Sequence, residues 1–234
     1  EYSNWGFALL GDALGHCAGV TYGALLAERV TGPLGMNDTV YVPSGALRSR
    51  LASPYDAKLQ PMPNQDLGAL YASGGLYSTV DDMLKFLDLF LGRGPQSLTG
   101  AAATMLEPRR PGDDPQTRMG LGWRVSSNDG EVMIWSSGRA DGYRSFMGID
   151  PRARVAVVGL TNGATIAGVD DIGRHILDSR MSVSRAHRWI NVSAQTLDRY
   201  VGRYQFEGGN HLTVVRDGDQ IFVQLTGQDP LPVF

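Results

Sequence analysis

Between residues 5 and 30 the apolar side chains Trp5, Phe7, Leu9, Leu10 and Leu14, then Tyr22, Leu25, Leu26 and Val30, recur at helical spacing. Gly19 and Val20-Thr21 interrupt the series. The pattern therefore predicts two helices, the second capped by Thr21 and stopped at Gly32-Pro33. Prolines at 43, 54, 61 and 63 make residues 40–70 a loop-rich stretch. In Ser78-Thr79-Val80-Asp81-Asp82 the acids suit the first turn of a helix, where they complement its dipole. Met83, Phe86, Leu87, Phe90 and Leu91 carry that helix to Gly92. After residue 118 the period changes. Residues 120–125, 131–136, 143–150 and 154–161 are short runs bounded by turn formers, which predicts neighbouring antiparallel strands. Asn128-Asp129-Gly130 and Asp150-Pro151-Arg152-Ala153 mark hairpin turns. Residues 168–181 read as a closing helix with Val169, Ile172, Ile176 and Leu177 on one face. Near residue 190 a second unit begins, in which alternating strands at 211–216 and 220–225 are joined by Asp217-Gly218-Asp219. The division expected is a main domain over 1–185 and a small antiparallel β module over 190–234.

Composition narrows the function classes. Apolar residues make up 42% of the 234 and charged residues 19%, a balance that builds a core rather than a disordered chain. The formal net charge of −3 leaves no basic footprint, so no nucleic-acid partner is expected. Cys17 is alone, which excludes an internal disulfide and a cysteine-based zinc site. His16, His175, His187 and His211 are far apart and form no His-x-x-x-His pair, so neither a metal nor another cofactor is expected. No apolar run reaches the ~18 residues that a membrane span needs, so no transmembrane segment is expected.

Five segments taken together resemble the serine β-lactamase and penicillin-binding-protein-like family, of the class C and esterase type. They are Tyr2-Ser3-Asn4 before a helix, Pro33-Leu34-Gly35-Met36-Asn37-Asp38-Thr39, and Ala72-Ser73-Gly74-Gly75-Leu76-Tyr77-Ser78-Thr79. Gly120-Leu121-Gly122-Trp123 follows, then Gly142-Tyr143-Arg144-Ser145-Phe146 before Asp150-Pro151. Each piece alone is weak; their order and spacing carry the resemblance over residues 1–181. Residues 190–234 resemble the start of the lipocalin-like β domain often appended to such hydrolases. The resemblance implies an α/β (α+β) fold, an antiparallel sheet flanked by helices with a helical lobe. It implies a serine hydrolase that cleaves an ester, amide or β-lactam through an acyl-enzyme. It also implies a small-molecule or peptide-like substrate and a periplasmic or secreted location.

Carried over position by position, Tyr2 matches the family's proton-shuttling tyrosine, and Asn4 the amide that holds the substrate carbonyl. Trp135-Ser136-Ser137-Gly138-Arg139 falls where the substrate-binding strand motif belongs, so the resemblance gives Ser136, Ser137, Gly138 and Arg139 the substrate and oxyanion contacts. Such a site needs a base to take the serine proton and two fixed backbone N–H donors for the oxyanion. Tyr2 is expected to face Ser136–Arg139 across one cleft. Two departures follow. No Ser-x-x-Lys occurs in the 234 residues; in the family it precedes the tyrosine motif, so truncation before Glu1 is expected, and this stretch alone is expected to be inactive. Ser136 stands where the family has Lys or His, which removes a cation that recognises carboxylates and lowers the tyrosine pKa. A non-catalytic module that binds a cell-wall fragment or a partner is the competing reading. By themselves, Ser136-Ser137-Gly138 would make a strand-end turn, Trp123 and Trp135 core or cleft wall, and Asp81-Asp82 a helix terminus.

Overall fold

Capping side chains decide where the helices of the computed structural model begin. Ser3 lies in extended backbone and its Oγ accepts from the Gly6 amide at 3.1 Å, which starts α1 (Asn4–Ala18). Gly19, at φ 68°, ends it by donating its amide to the Gly15 and His16 carbonyls. Thr21 caps α2 (Tyr22–Leu26) through the Ala24 amide, and the chain continues into a π-helical turn, Ala27–Thr31. The break read from Gly19 to Thr21 is therefore real. Two short helices, α3 (Gly45–Arg50) and α4 (Tyr71–Gly74), interrupt the loop-rich stretch. Thr79 caps α5 (Val80–Phe90), and α6 (Gln96–Leu106) follows. Helix α6 escaped the pattern because it is rich in Ala, Thr and Gly and buries only Ala102.

The structure describes residues 3–64, 67–112, 114–128, 130–140, 142–165, 168–184, 191–206, 211–226 and 230–233. They fall into two compact units, Glu1–Ser184 and Arg185–Phe234.

In the first unit six strands run β1 (Arg110–Pro111), β2 (Thr117–Met119), β3 (Arg124–Asn128), β4 (Glu131–Ala140), β5 (Tyr143–Asp150) and β6 (Val155–Thr161). Each pairs antiparallel with the one before, so spatial order equals chain order. The strand expected from 120 starts later. Residues 120–123 form the loop of the β2–β3 hairpin: the Gly120 amide donates to the Trp123 carbonyl, the Leu121 amide to the Met105 carbonyl, and Gly122 takes φ 79°. The strand expected to end at Ser136 instead runs to Ala140, whose partner is Tyr143. The residues between them, Asp141-Gly142, are a two-residue hairpin signal that the pattern reading passed over.

Register fixes what each sheet face carries. Val125, Ile134, Ile149 and Ala156 are cross-strand partners on one face, packed with Leu87 and Leu91 from the α5 region. Trp123 joins this core at 1% exposure, against Phe86 and Phe90. The opposite face carries Trp135, Phe146 and Gly148 toward α7 (Asp170–Leu177). Gly173 lets α7 close on the sheet, because a Cβ there would collide with the Phe146 ring. The apolar face expected for this helix is shifted: Val169 and Leu177 approach Gly159 and Gly148, while Ile172 and Ile176 stay exposed.

In the second unit Ser193 caps α8 (Ala194–Asp198). The strands β7 (Gly202–Gln205), β8 (His211–Asp217), β9 (Gln220–Leu225) and β10 (Leu231–Val233) form an antiparallel sheet in the order β10-β9-β8-β7. Alternation puts Tyr204, Leu212, Val214, Val223 and Leu225 on one face, and Arg216 reaches Asp198 of α8 at 2.6 Å. The mixed α/β fold class read from the sequence, an antiparallel sheet flanked by helices, is the observed one.

Candidate active site

The sheet leaves part of β4 open. Strand β3 pairs with β4 only as far as Arg124 with Trp135, because the 120–123 loop turns the chain toward Met105. From Ser136 to Ala140, β4 pairs with β5 on one side, and among the described residues no strand pairs with it on the other. Half of the backbone N–H and C=O groups on such an edge are free to meet a ligand. The four residues singled out from the sequence, Ser136, Ser137, Gly138 and Arg139, all lie on this edge, in extended strand rather than in a turn.

Strand alternation sorts their side chains. Ser136 and Gly138 share the face of Ile134, opposite Met147 and Ser145. A Cβ on Gly138 would stand 2.5 Å from Ser145 Oγ, which would have to rotate away. Ser137 and Arg139 share the other face, opposite Phe146 and Arg144. The Arg139 side chain thus leaves the strand on the face away from Ser136.

Asn4 opens α1, directly after the capping Ser3, and is exposed. The Ser3 hydroxyl is engaged by the Gly6 amide of its own helix. Tyr2 lies outside the described residues. Helix α4 touches both α1, the helix that Asn4 starts, and β4. Gly11 makes the first contact close, because a Cβ there would collide with Ala72 of α4.

Long-range hydrogen bonds hold the β4–β5 end. The Tyr143 hydroxyl donates to the Ala52 carbonyl at 2.6 Å and lies 2.9 Å from Asn64 Oδ1. Burial pushes the Tyr143 pKa up, and the nearby Tyr77 adds to the shift; the two rings meet edge to face at 6.3 Å. Gly142, at φ 75°, packs against Pro54. The Tyr55 amide donates to the Asn162 carbonyl at 2.8 Å, the Ala164 amide to the Tyr55 carbonyl at 2.9 Å, and Asn162 Nδ2 to the Ser53 carbonyl at 2.7 Å. Arg144 Nη1 donates to the Ala140 and Tyr143 carbonyls, and Nη2 to the Ala164 carbonyl. Tyr143 and Arg144 stand in one of the five segments that carry the resemblance, which gives them no role of their own.

Asp82 is the other residue whose importance the pattern missed. Its carboxylate is buried and accepts from the Asp38 amide at 2.8 Å, Thr39 Oγ1 at 2.9 Å and Lys85 Nζ at 2.7 Å. Burial alone would raise its pKa, but the hydrogen bonds from Lys85, Thr39 and the Asp38 amide outweigh that and hold it below the ordinary carboxylate value. Asp82 thereby ties the segment Pro33–Thr39 to α5. Tyr41, half-buried against Tyr22 and Tyr71, has its pKa raised by burial and then by Tyr22. Among the described residues no cluster of His, Cys, Asp and Glu could hold a metal ion, and no helix is long and apolar enough to cross a membrane.

An antiparallel meander with helices on both faces is the fold that the resemblance to serine β-lactamases implied. The chain belongs to the Beta-lactamase family, which it matches over residues 1–179. It is similar to a human protein named beta-lactamase-like 1, with 33% identity over 193 residues, covering 80% of this chain and 39% of the relative. It is also similar to the D-alanyl-D-alanine-carboxypeptidase/endopeptidase AmpH of Escherichia coli, with 31% identity over 167 residues, 66% of this chain and 43% of that protein. Among solved structures it shares its fold with the penicillin-binding protein homologue from Pyrococcus abyssi, at TM-score 0.66 and 23% identity over 100% of this chain and 55% of that one. A class C beta-lactamase from Rhodobacter sphaeroides matches at TM-score 0.63 and 22% identity, over 70% and 55%. The chain spans less than half the length of these two curated relatives.

Proposed function

We propose that this chain is the substrate-binding part of a serine hydrolase that cleaves an ester, amide or lactam through an acyl-enzyme. The observation that carries the reading is the open edge of β4, Ser136 to Ala140, in a chain of the Beta-lactamase family. In this reading the Arg139 amide is one oxyanion donor, Asn4 holds the substrate carbonyl, and Tyr2 moves the proton between nucleophile and leaving group. The nucleophile and its lysine are assigned to a segment preceding Tyr2, which fits the absence of Ser-x-x-Lys from these residues and the greater length of the relatives. Ser136 in place of a cation favours neutral acyl donors over carboxylate-bearing ones. The peptidase activity named for AmpH supports a peptide-like amide as a further candidate substrate. Residues 190–234 are proposed as part of an appended lipocalin-like module.

The second reading, a module that binds a cell-wall fragment or a partner without cleaving it, is favoured by Ser136 and by the missing Ser-x-x-Lys. Labelling the whole gene product with a fluorophosphonate or a fluorescent penicillin separates the two. A covalent adduct on a serine of a Ser-x-x-Lys motif is the expected result. A whole gene product that lacks the motif and takes no label would sink the hydrolase reading.

A further inference from the structure

We infer that Arg144 is a positioning residue for the oxyanion donor, acting by fixing the end of β4; the inference rests on the assignment of that donor to the Arg139 amide. Arg139 and Arg144 are register partners across the β4–β5 hairpin. The Arg144 guanidinium turns back over the hairpin and donates to the Ala140 carbonyl at 3.2 Å, one residue beyond Arg139, and to its own strand at the Tyr143 carbonyl at 2.8 Å. Its other nitrogen donates to the Ala164 carbonyl at 3.2 Å. Residue 164 is itself held, since its amide donates to the Tyr55 carbonyl and the Tyr55 amide donates to the Asn162 carbonyl. Gly168, at φ 60°, runs beside the stem of this side chain.

One planar fork therefore connects three carbonyls on three stretches of chain. Beyond Trp135, β4 has lost its β3 neighbour, so the strand end is held from one side and has the freedom to twist. An oxyanion donor acts through its direction, and a donor that must reorient during the reaction forfeits most of its value. Arg144 removes that freedom through backbone alone, its Nη1 and Nη2 being engaged by the Ala140, Tyr143 and Ala164 carbonyls. A lysine keeps the charge and much of the stem, but its donors radiate from one nitrogen, so it lacks the two-nitrogen fork that reaches Ala140 and Ala164 together.

The test uses Arg144→Lys and Arg144→Ala in the whole gene product, with two readouts. Amide hydrogen exchange should speed up ~10-fold or more at residues 140 and 164, with Ile134 and Ile149 unchanged. For a p-nitrophenyl ester, kcat should fall ~10-fold or more while KM stays within ~2-fold, the signature of a donor that counts only in the transition state. Arg144→Lys, which is the milder change, keeps the test informative if Arg144→Ala fails to fold. Unchanged exchange at 140 and 164 would overturn the inference, as would a loosened strand end with kcat intact or a rise confined to KM. A wild-type gene product that forms no acyl-enzyme would instead overturn the hydrolase assignment beneath it, and the exchange rates report the clasp independently of that result.

Discussion

Replacing Asp82 by alanine should be among the most destabilising single changes in the first unit. The carboxylate is 3% exposed and holds three donors from two parts of the chain. The donors do not count equally. Lys85 is largely exposed and keeps the Gly35 carbonyl at 2.7 Å, so its share is small. Thr39 Oγ1 retains Ser78 Oγ at 2.8 Å but loses its charged acceptor. The Asp38 amide loses its hydrogen bond to the carboxylate. Two hydrogen bonds to a charged, buried group are worth about 1.5–3 kcal/mol each. Relief of the carboxylate's own desolvation offsets part of this, which leaves a net loss of about 3–5 kcal/mol. Against a total stability of about 5–15 kcal/mol, the midpoint should fall by roughly 8–15 °C. Thermal unfolding followed by circular dichroism reads this directly. Asp82→Asn, which keeps one acceptor oxygen, should recover about half. Asp81→Ala, one residue away and exposed, is the control and should cost under about 1 kcal/mol. A midpoint for Asp82→Ala within about 2 °C of wild type, or equal effects of Asp81→Ala and Asp82→Ala, would refute the argument.

Acid should act on the same group. Hydrogen bonds hold Asp82 below its ordinary value against the opposing effect of burial; at Asp171 the largest cause is the Ser184 amide, which also lowers it. A depressed folded-state pKa gives stability that is present above the unfolded value of about 4 and is lost as pH falls through the folded value. Urea midpoints should therefore drop below about pH 4, with a shallower drop in Asp82→Asn; a pH-independent midpoint would count against both assignments. Gly173→Ala should force α7 away from Phe146, at a cost of about 1–3 kcal/mol, and quench the near-ultraviolet signal of the Trp135–Phe146 stack; an unchanged spectrum would contradict the packing. In the whole gene product Tyr2→Phe should lower kcat for an ester by ~100-fold if Tyr2 carries the proton; intact turnover would remove that role. Ser136→Lys should shift preference toward carboxylate-bearing substrates, measured as the ratio of kcat/KM values for an acid and its methyl ester.

What the sequence conveyed divides along the range of the forces involved. Caps and turns are local, so Thr21, Thr79 and Gly19 were readable, as were the β3–β4 and β5–β6 turns. The strand limits were not. Gly120 and Leu121 look extended until Met105, far back in the chain, claims the Leu121 amide. Ser136-Ser137-Gly138 lack the apolar alternation that marks a strand, because β4 here has β5 on one side and an open edge on the other. The resemblance supplied the candidate residues Ser136 to Arg139, and the register then added what no motif holds, that Arg139 faces away from Ser136. Asp82 was indistinguishable from Asp81 by pattern; only the fold, by folding Asp38 and Thr39 onto α5, makes one of them structural.

The strictly sequential strand order has a consequence for how the molecule assembles. Each of the six strands pairs with its chain neighbour, so every sheet contact closes a short loop and the meander can zip from hairpin to hairpin. The bonds that brace the β4–β5 end are of the opposite kind: Tyr143 reaches back 91 residues to Ala52, and Asn162 reaches back 109 to Ser53. The sheet is therefore expected to form early and the brace late, so that the strand edge acquires its final shape only after the core is built. Asn162→Ala should speed unfolding and leave the folding rate nearly unchanged; a slowed folding rate would place the brace in the nucleus instead. Late closure also means that this corner can loosen while the sheet beneath it stays folded, which separates the durability of the fold from that of the edge it presents.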